Sequence, residues 1–251
     1  MGHYTVLEGL DGVGKGVVED VIKQHIGQNV GPLEIVDGFF RDYENNPTTL
    51  RDYTFLAAEP TFIGSGMDIR QEVIARNGRS YPAETQIEVY GNNRFVLLRR
   101  CILPLLGSGN NVLSSRNFIS STCYQALVAK KEGKSIDESR ERVLAHAGNR
   151  FALSHSPTLA IISTIADPQE LTARLSKREK KDNCEFENFS FQLELNPFYR
   201  DPWLRELLEK AGTKVAYLDA GISLDATKQQ AVEIYSDFYE RGVVQPRYQN
   251  P

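Results

Sequence analysis

One short string constrains this chain more than any other: Gly9-Leu10-Asp11-Gly12-Val13-Gly14-Lys15. It follows a β-branched and aromatic run at residues 3–8, which suits a strand entering a tight turn. It precedes residues 15–26, where Val17, Val18, Val21, Ile22 and Ile26 make one apolar helical face that Gly27 terminates. Glycines let successive backbone N–H groups converge on phosphate oxygens with no Cβ in the way, and the helix N-terminus adds positive potential. A strand, a G-x-x-x-x-G-K loop and a helix in that order predict a nucleotide phosphate cradle, with Lys15 reaching the β and γ phosphates. The candidate residues are Gly9, Asp11, Gly12, Val13, Gly14, Lys15, Gly16 and Val17. The strict motif closes on Ser or Thr, whose hydroxyl ligates Mg2+. Here Gly16 and Val17 follow Lys15, so the cradle is kept without that ligand.

Beyond the loop, strand-like and helix-like segments alternate. Residues 110–114, 159–164 and 214–219 read as strands, and helical patterns occupy 69–75, 84–106, 121–131, 136–150, 168–177, 189–208 and 224–240. Pro104 is expected to bend the long helix near its end, and Asp167 with Pro168 to cap and open the 168–177 helix. Residues 28–55, punctuated by Gly31-Pro32 and Asn45-Asn46-Pro47, predict a strand plus a long excursion. Such alternation specifies an α/β layered domain with a mostly parallel central sheet, and such sheets bind ligands at the carboxyl ends of their strands. The whole chain, 1–251, reads as a single domain.

Composition removes other classes. Twenty-nine Lys and Arg against 33 Asp and Glu leave a net charge of −4, which lacks the electrostatic footprint of a duplex nucleic-acid binder. Any anion site must be local. No apolar run approaches the roughly 18 residues of a membrane span, and the N-terminus has no basic and hydrophobic leader. Val6 stands where the myristoylation pattern wants Ser or Thr. A cytoplasmic protein with no membrane partner is the expectation. Cys101, Cys123 and Cys184 have no C-x-x-C spacing, and the four histidines make no H-E-x-x-H, which argues against a disulfide framework or a zinc site.

Lys15, Arg70, Arg116 and Arg178 come from four separated segments that a fold of this kind can converge on one site. Phosphoryl transfer is mostly positioning and charge neutralisation, and the planar guanidinium binds phosphate bidentately. The basic run Lys177-Arg178-Glu179-Lys180-Lys181 reads either as a solvated charge run or, from its place between helices, as a lid of about residues 177–190 that closes over donor phosphates.

The strings at residues 6–16, Glu59-Pro60-Thr61, Ile63-Gly64, Ile69-Arg70, Tyr90-Gly91-Asn92-Asn93-Arg94 and residues 115–125 together resemble the thymidylate kinase family over nearly the whole chain. The resemblance implies a three-layer P-loop kinase fold with a lid, ATP and Mg2+ as cofactors, a nucleoside monophosphate substrate (dTMP converted to dTDP), and a homodimer. It implies catalytic roles for Lys15, Arg116 and Arg178. Asp11 is implied to bind the acceptor 3′-hydroxyl, Arg70 to grip its phosphate, Tyr90 to stack on thymine and Arg94 to hydrogen-bond the base. Glu59, Pro60, Asn93, Ser120, Ser121, Tyr124 and Gln125 match the rest of the acceptor-side strings. Three departures stand out: Ser115 replaces the family's metal-associated Asp, Ala58 replaces its Arg, and residues 28–55 exceed the compact pattern. Two other readings therefore stay open: a deoxynucleoside kinase with Glu59 as general base, and a nucleotide-binding protein without turnover.

Overall fold

Every residue of the first strand, β1 (Tyr4–Gly9), is buried, as a parallel sheet covered by helices on both faces requires. The structure is a computed structural model and describes residues 2–27, 29–32, 52–165, 167, 169–170, 172–173 and 189–251. Within these, β1 joins β2 (Val30–Pro32), β3 (Thr54–Ala58), β4 (Asn111–Ser115), β5 (Leu159–Thr164) and β6 (Lys214–Asp219) in one six-stranded sheet, ordered β2-β3-β4-β1-β5-β6. All neighbouring strands run parallel, with Leu7 opposite Ser115 and Gly9 opposite Ser163. The carboxyl ends of β3, β4 and β1 thus lie side by side at the middle of the sheet.

Helices α1 (Lys15–Ile26) and α10 (Leu224–Arg241) pack on each other and on the sheet. A second group consists of α2 (Ser65–Ile69), α3 (Ala83–Leu97), α5 (Phe118–Lys131), α6 (Ile136–Ala145) and α7 (Ala147–Ser154), with α4 (Leu103–Gly107) against β4. Helices α8 (Phe189–Tyr199) and α9 (Pro202–Lys210) lie between β5 and β6 in the chain, α8 resting on α5 and β5. The α/β, three-layer architecture expected from the sequence is therefore present. One continuous core, from Val6 and Leu7 through Leu113 and Phe118 to Ile161 and Ile234, fills the layers.

Several expected boundaries shift, each for a local reason. The 84–106 helix is three pieces, because a π-helical turn, Leu98–Ile102, separates α3 from α4 and the Leu103 N–H bonds the Leu98 carbonyl. Pro104 has no N–H to continue the ordinary ladder, so the disturbance falls in the turn before it. The 136–150 helix breaks at His146, whose ψ is 133° and whose Nδ1 accepts the Gly148 N–H at 3.1 Å. A Cβ at Gly148 would collide with the Gly91 carbonyl, so α7 meets α3 at backbone contact. Helix α5 starts at Phe118, ahead of the expected 121, because Asn117 Oδ1 accepts the Ile119 N–H at 2.8 Å. The 189–208 stretch divides at Asp201-Pro202, where Asp201 Oδ1 accepts the Trp203 N–H at 3.0 Å and Pro202 opens α9. The 69–75 segment becomes α2 followed by a π-helical turn, Arg70–Ile74. Asp167 Oδ1 does accept the Gln169 N–H at 2.8 Å, as expected of a cap. Of the expected excursion, residues 28 and 33–51, and of the expected lid, residues 177–188, lie outside the described residues. Among the described residues, no helix is long and apolar enough to cross a membrane.

Candidate functional site

The turn after β1 is built from residues that need the left-handed half of backbone space. Gly9, Gly12 and Gly14 have φ of 124°, 83° and 93°, and a Cβ at Gly9 would strike the Ser163 carbonyl of the neighbouring strand. Ideal Cβ positions at Gly14 and Gly16 meet nothing within 4 Å, so the mouth of the loop is open. Lys15 folds back across it. Its Nζ donates to the carbonyls of Gly9, at 3.1 Å, and Leu10, and lies 3.4 Å from the Asp11 carboxylate. Burial, then the adjacent Arg116, depress the Lys15 ammonium to about 8 against the pull of Asp11 and Glu8.

Facing the loop is the turn from β4 into α5. Arg116 sits there with φ 72°, a left-handed conformation rare for a residue with a Cβ, and its N–H donates to the Leu7 carbonyl at 3.0 Å. The guanidinium donates to Ser120 Oγ at 2.8 Å, to the hydroxyls of Tyr124 at 2.9 Å and Tyr199 at 3.3 Å, and to the Asp11 carboxylate. Tyr124 donates to Asp11 Oδ2 at 2.7 Å, and Gln192 Oε1 accepts the Asp11 N–H at 2.8 Å. Burial alone would raise the Asp11 carboxyl, but Arg116 and Lys15 override it and hold the group well below the usual carboxylate range. Beneath lies Glu8, wholly buried at the end of β1. It accepts from the N–H groups of Asn117 (2.9 Å) and Ser120 (3.1 Å), from Ser120 Oγ (2.7 Å) and from the Tyr199 hydroxyl (3.0 Å). A carboxylate at the N-terminus of α5 is favoured by the helix dipole.

A third wall forms where β3 ends. Arg94 Nε donates to the Glu59 carboxylate at 2.6 Å, and both side chains are buried. The same guanidinium donates to Asn149 Oδ1 and, at 3.2 Å, to Ser121 Oγ. Burial pushes the Glu59 carboxyl up to about 7, only partly opposed by Arg94. Asn93 pins the following loop: it accepts the Thr61 N–H at 3.2 Å and donates to Thr61 Oγ1 at 3.1 Å and Ser65 Oγ at 3.0 Å. Arg70 donates to the Pro60 carbonyl at 2.6 Å and lies 3.7 Å over the Phe62 ring. Tyr90 is half-buried on α3, one turn from both Gln86 and Arg94. Gln125 Nε2 donates to Gln86 Oε1 at 3.2 Å.

The expected residues thus fall into three adjoining groups. Asp11, Lys15, Arg116, Ser120 and Tyr124 share one network, Glu59, Arg94 and Ser121 a second, and Pro60, Arg70 and Asn93 a third; Arg178 lies outside the described residues. Sequence reasoning missed Glu8, Gln192, Tyr199 and Gln86. For Glu8 a signal existed, since a carboxylate closing an otherwise apolar buried strand is rare unless paired. For metal ligands, Gly16 offers no hydroxyl and Asp11 is already taken up by Arg116, Tyr124 and Lys15. No cluster of three His, Cys, Asp or Glu suited to a metal occurs among the described residues.

A parallel sheet with its first strand central, a glycine loop at that strand's carboxyl end and an arginine turn from β4 facing the loop define an α/β P-loop kinase fold. No family model matches the chain. Its likeness is to thymidylate kinases, over nearly its whole length. It is 24% identical over 235 residues to the thymidylate kinase of Campylobacter concisus, covering 94% of this chain and 99% of that protein. It is 22% identical over 232 residues to that of Kosmotoga olearia, covering 92% and 93%. The solved structure of a thymidylate kinase from Candida albicans superposes with a TM-score of 0.66 at 16% identity, covering 97% of this chain and 95% of that one.

Proposed function

We propose that this chain is an ATP-dependent phosphotransferase that converts dTMP to dTDP. The observation that carries the reading is the bridge from Arg116 to Asp11 and Lys15, which holds a guanidinium opposite the open mouth of the glycine loop. Two phosphate-bearing substrates repel each other, and transfer needs cations fixed between them. On this reading the loop from Gly9 to Val17 and Lys15 receive the ATP phosphates. Arg116, with Arg178 of the lid, stabilises the group in flight. Arg70 takes the acceptor phosphate and Asp11 the 3′-hydroxyl. Tyr90, Arg94, Ser121 and Gln125 meet the base, while Glu59, Pro60, Asn93, Ser120 and Tyr124 shape and brace that pocket. The names of the relatives support the same reaction.

The loop suits polyphosphate, since space stands open over Gly14 and Gly16 and Lys15 is seated at its rim. A protein-held Mg2+ does not suit it, for want of a hydroxyl at Gly16 and a carboxylate at Ser115. Mg2+ would instead travel with the nucleotide, bound by phosphate oxygens and water, and lower the phosphate charge. The nucleoside-kinase alternative is not favoured, because Glu59 is buried against Arg94. Nor is the non-catalytic one, because a nucleotide binder without turnover has no use for Arg116 fixed across from the loop. A homodimer in the cytoplasm belongs to the same proposal.

The test is a screen with ATP and Mg2+ over nucleosides and monophosphates. dTMP should be the preferred acceptor, and Lys15→Ala should abolish transfer while circular dichroism and thermal midpoint stay close to the parent's. Turnover of nucleosides but not monophosphates would overturn the assignment.

A further inference from the structure

Gln86 on α3 and Gln125 on α5 meet with both side chains 3% exposed. The Gln86 amide has only one workable orientation. Its Nε2 donates at 2.8 Å to the backbone carbonyl of Tyr81, which can only accept. Its Oε1 must then face Gln125, and it accepts from Gln125 Nε2 at 3.2 Å. That contact orients the second amide in turn, and leaves Gln125 Oε1 buried with no hydrogen-bond partner among the described residues. An orphaned buried acceptor costs free energy unless something donates to it.

Helix spacing puts further groups on the same two helix faces. Gln86, Tyr90 and Arg94 lie at intervals of four on α3, and Ser121 and Gln125 at the same interval on α5. Arg94 reaches Ser121 at one end of this interface, and Gln86 reaches Gln125 at the other. Three of the five N–H groups of Arg94 take Glu59, Asn149 and Ser121, so it has donors to spare. The strip between the helices therefore offers a donor, an aromatic ring and an acceptor in sequence.

We propose that Gln86 is a positioning residue which, through Tyr81 and Gln125, presents a hydrogen-bond acceptor to the acceptor base and so selects pyrimidines bearing a 4-keto group beside an N3–H. This rests on the reading of the site as a nucleoside monophosphate kinase. Thymine and uracil carry the matching pair, a carbonyl for Arg94 and an N–H for Gln125. Cytosine carries the reverse, an amino group beside a bare ring nitrogen. Were the Gln125 amide free to turn, it could serve either.

The experiment measures calorimetric Kd values for dTMP and dCMP on the full chain. The parent should prefer dTMP. In Gln86→Met the ratio should fall by roughly tenfold or more, since the price of one unmatched buried hydrogen bond no longer falls on dCMP alone. Gln86→Glu, kept protonated by burial, donates its O–H to the Tyr81 carbonyl and still offers a carbonyl oxygen to Gln125, and should keep the ratio. Gln86→Met combined with Gln125→Met should match Gln125→Met alone, because Gln86 acts through Gln125. A merely structural role would weaken both ligands in parallel. A parent that prefers dTMP together with an unchanged ratio in Gln86→Met overturns the relay and leaves the functional reading standing. A parent that binds neither nucleotide overturns that reading, and the relay with it. Should Gln86→Met not fold, Gln125→Met decides: its ratio must fall, and an unchanged one overturns the proposal.

Discussion

Glu59 and Asp11 are both carboxylates set beside arginines, yet their acidities move in opposite directions. Asp11 has two cations and a tyrosine hydroxyl against it and stays ionised, whereas Glu59 has one cation and an unpartnered Oε1 among the described residues, and burial wins. The folded-state value of Glu59, about 7, lies above its unfolded value of about 4.3. Its contribution is thus fully present below about pH 4 and is lost as pH rises through 7. Asp11 does the reverse, stabilising above its unfolded value of about 3.9 and losing that contribution as pH falls below it. Urea unfolding at successive pH values should show the parent losing up to roughly 3 kcal/mol between pH 5 and 8 relative to Glu59→Gln. Parallel curves for the two would mean that Glu59 is ionised throughout. The metal is also decided by single residues. Gly16→Ser has room, since nothing lies within 4 Å of its Cβ, and together with Ser115→Asp it should lower the free Mg2+ needed for half-maximal turnover. An unchanged requirement would assign the cation to other side chains. Lys15 and the glycines are legible in the sequence because their spacing is local. Glu8, Gln192 and Tyr199 are not, because their partners lie far along the chain.

Elements with one strong pattern are legible to the residue: α1, β5 and β6 fall where the sequence puts them. The breaks at His146 and Asp201 are not, because apolar periodicity continues across both and capping alone decides them. The second break positions α8, which carries Gln192 and Tyr199 into the site. Its far end is tied down by Arg140 of α6, which is buried, donates to Asp201 Oδ2 at 2.8 Å and lies 4.2 Å over the Trp203 ring. Arg140→Met should keep the packing volume but lose both contacts, costing about 2 kcal/mol in urea unfolding. It should also lower kcat more than it raises the KM for dTMP, since Tyr199 holds Arg116 rather than substrate. An unaltered unfolding midpoint would show that this tie contributes nothing.

At the scale of the molecule, alternation of strands and helices announces the class, but not the strand order. β1 pairs with β4 and β5 across long stretches of chain, a choice made by tertiary packing that no window of sequence contains. On the proposed reading the same order gives donor and acceptor separate walls, so their binding should be separable in a thermal melt. Either ligand at a hundredfold its Kd contributes about 2.7 kcal/mol, which is roughly 5–11 °C for a chain of this size. Lys15→Ala should lose the shift given by ATP and keep the one given by dTMP. Loss of both would mean that the two walls do not act independently.

The left-handed backbone at Arg116 carries a consequence for descent. A Cβ in that conformation costs about 1–2 kcal/mol, and glycine alone escapes it. If Arg116 serves transfer as proposed, selection for transfer keeps arginine at this position against the preference of its own backbone. In a lineage that abandoned transfer that restraint would go, and drift at position 116 would run toward glycine before it ran toward any other residue.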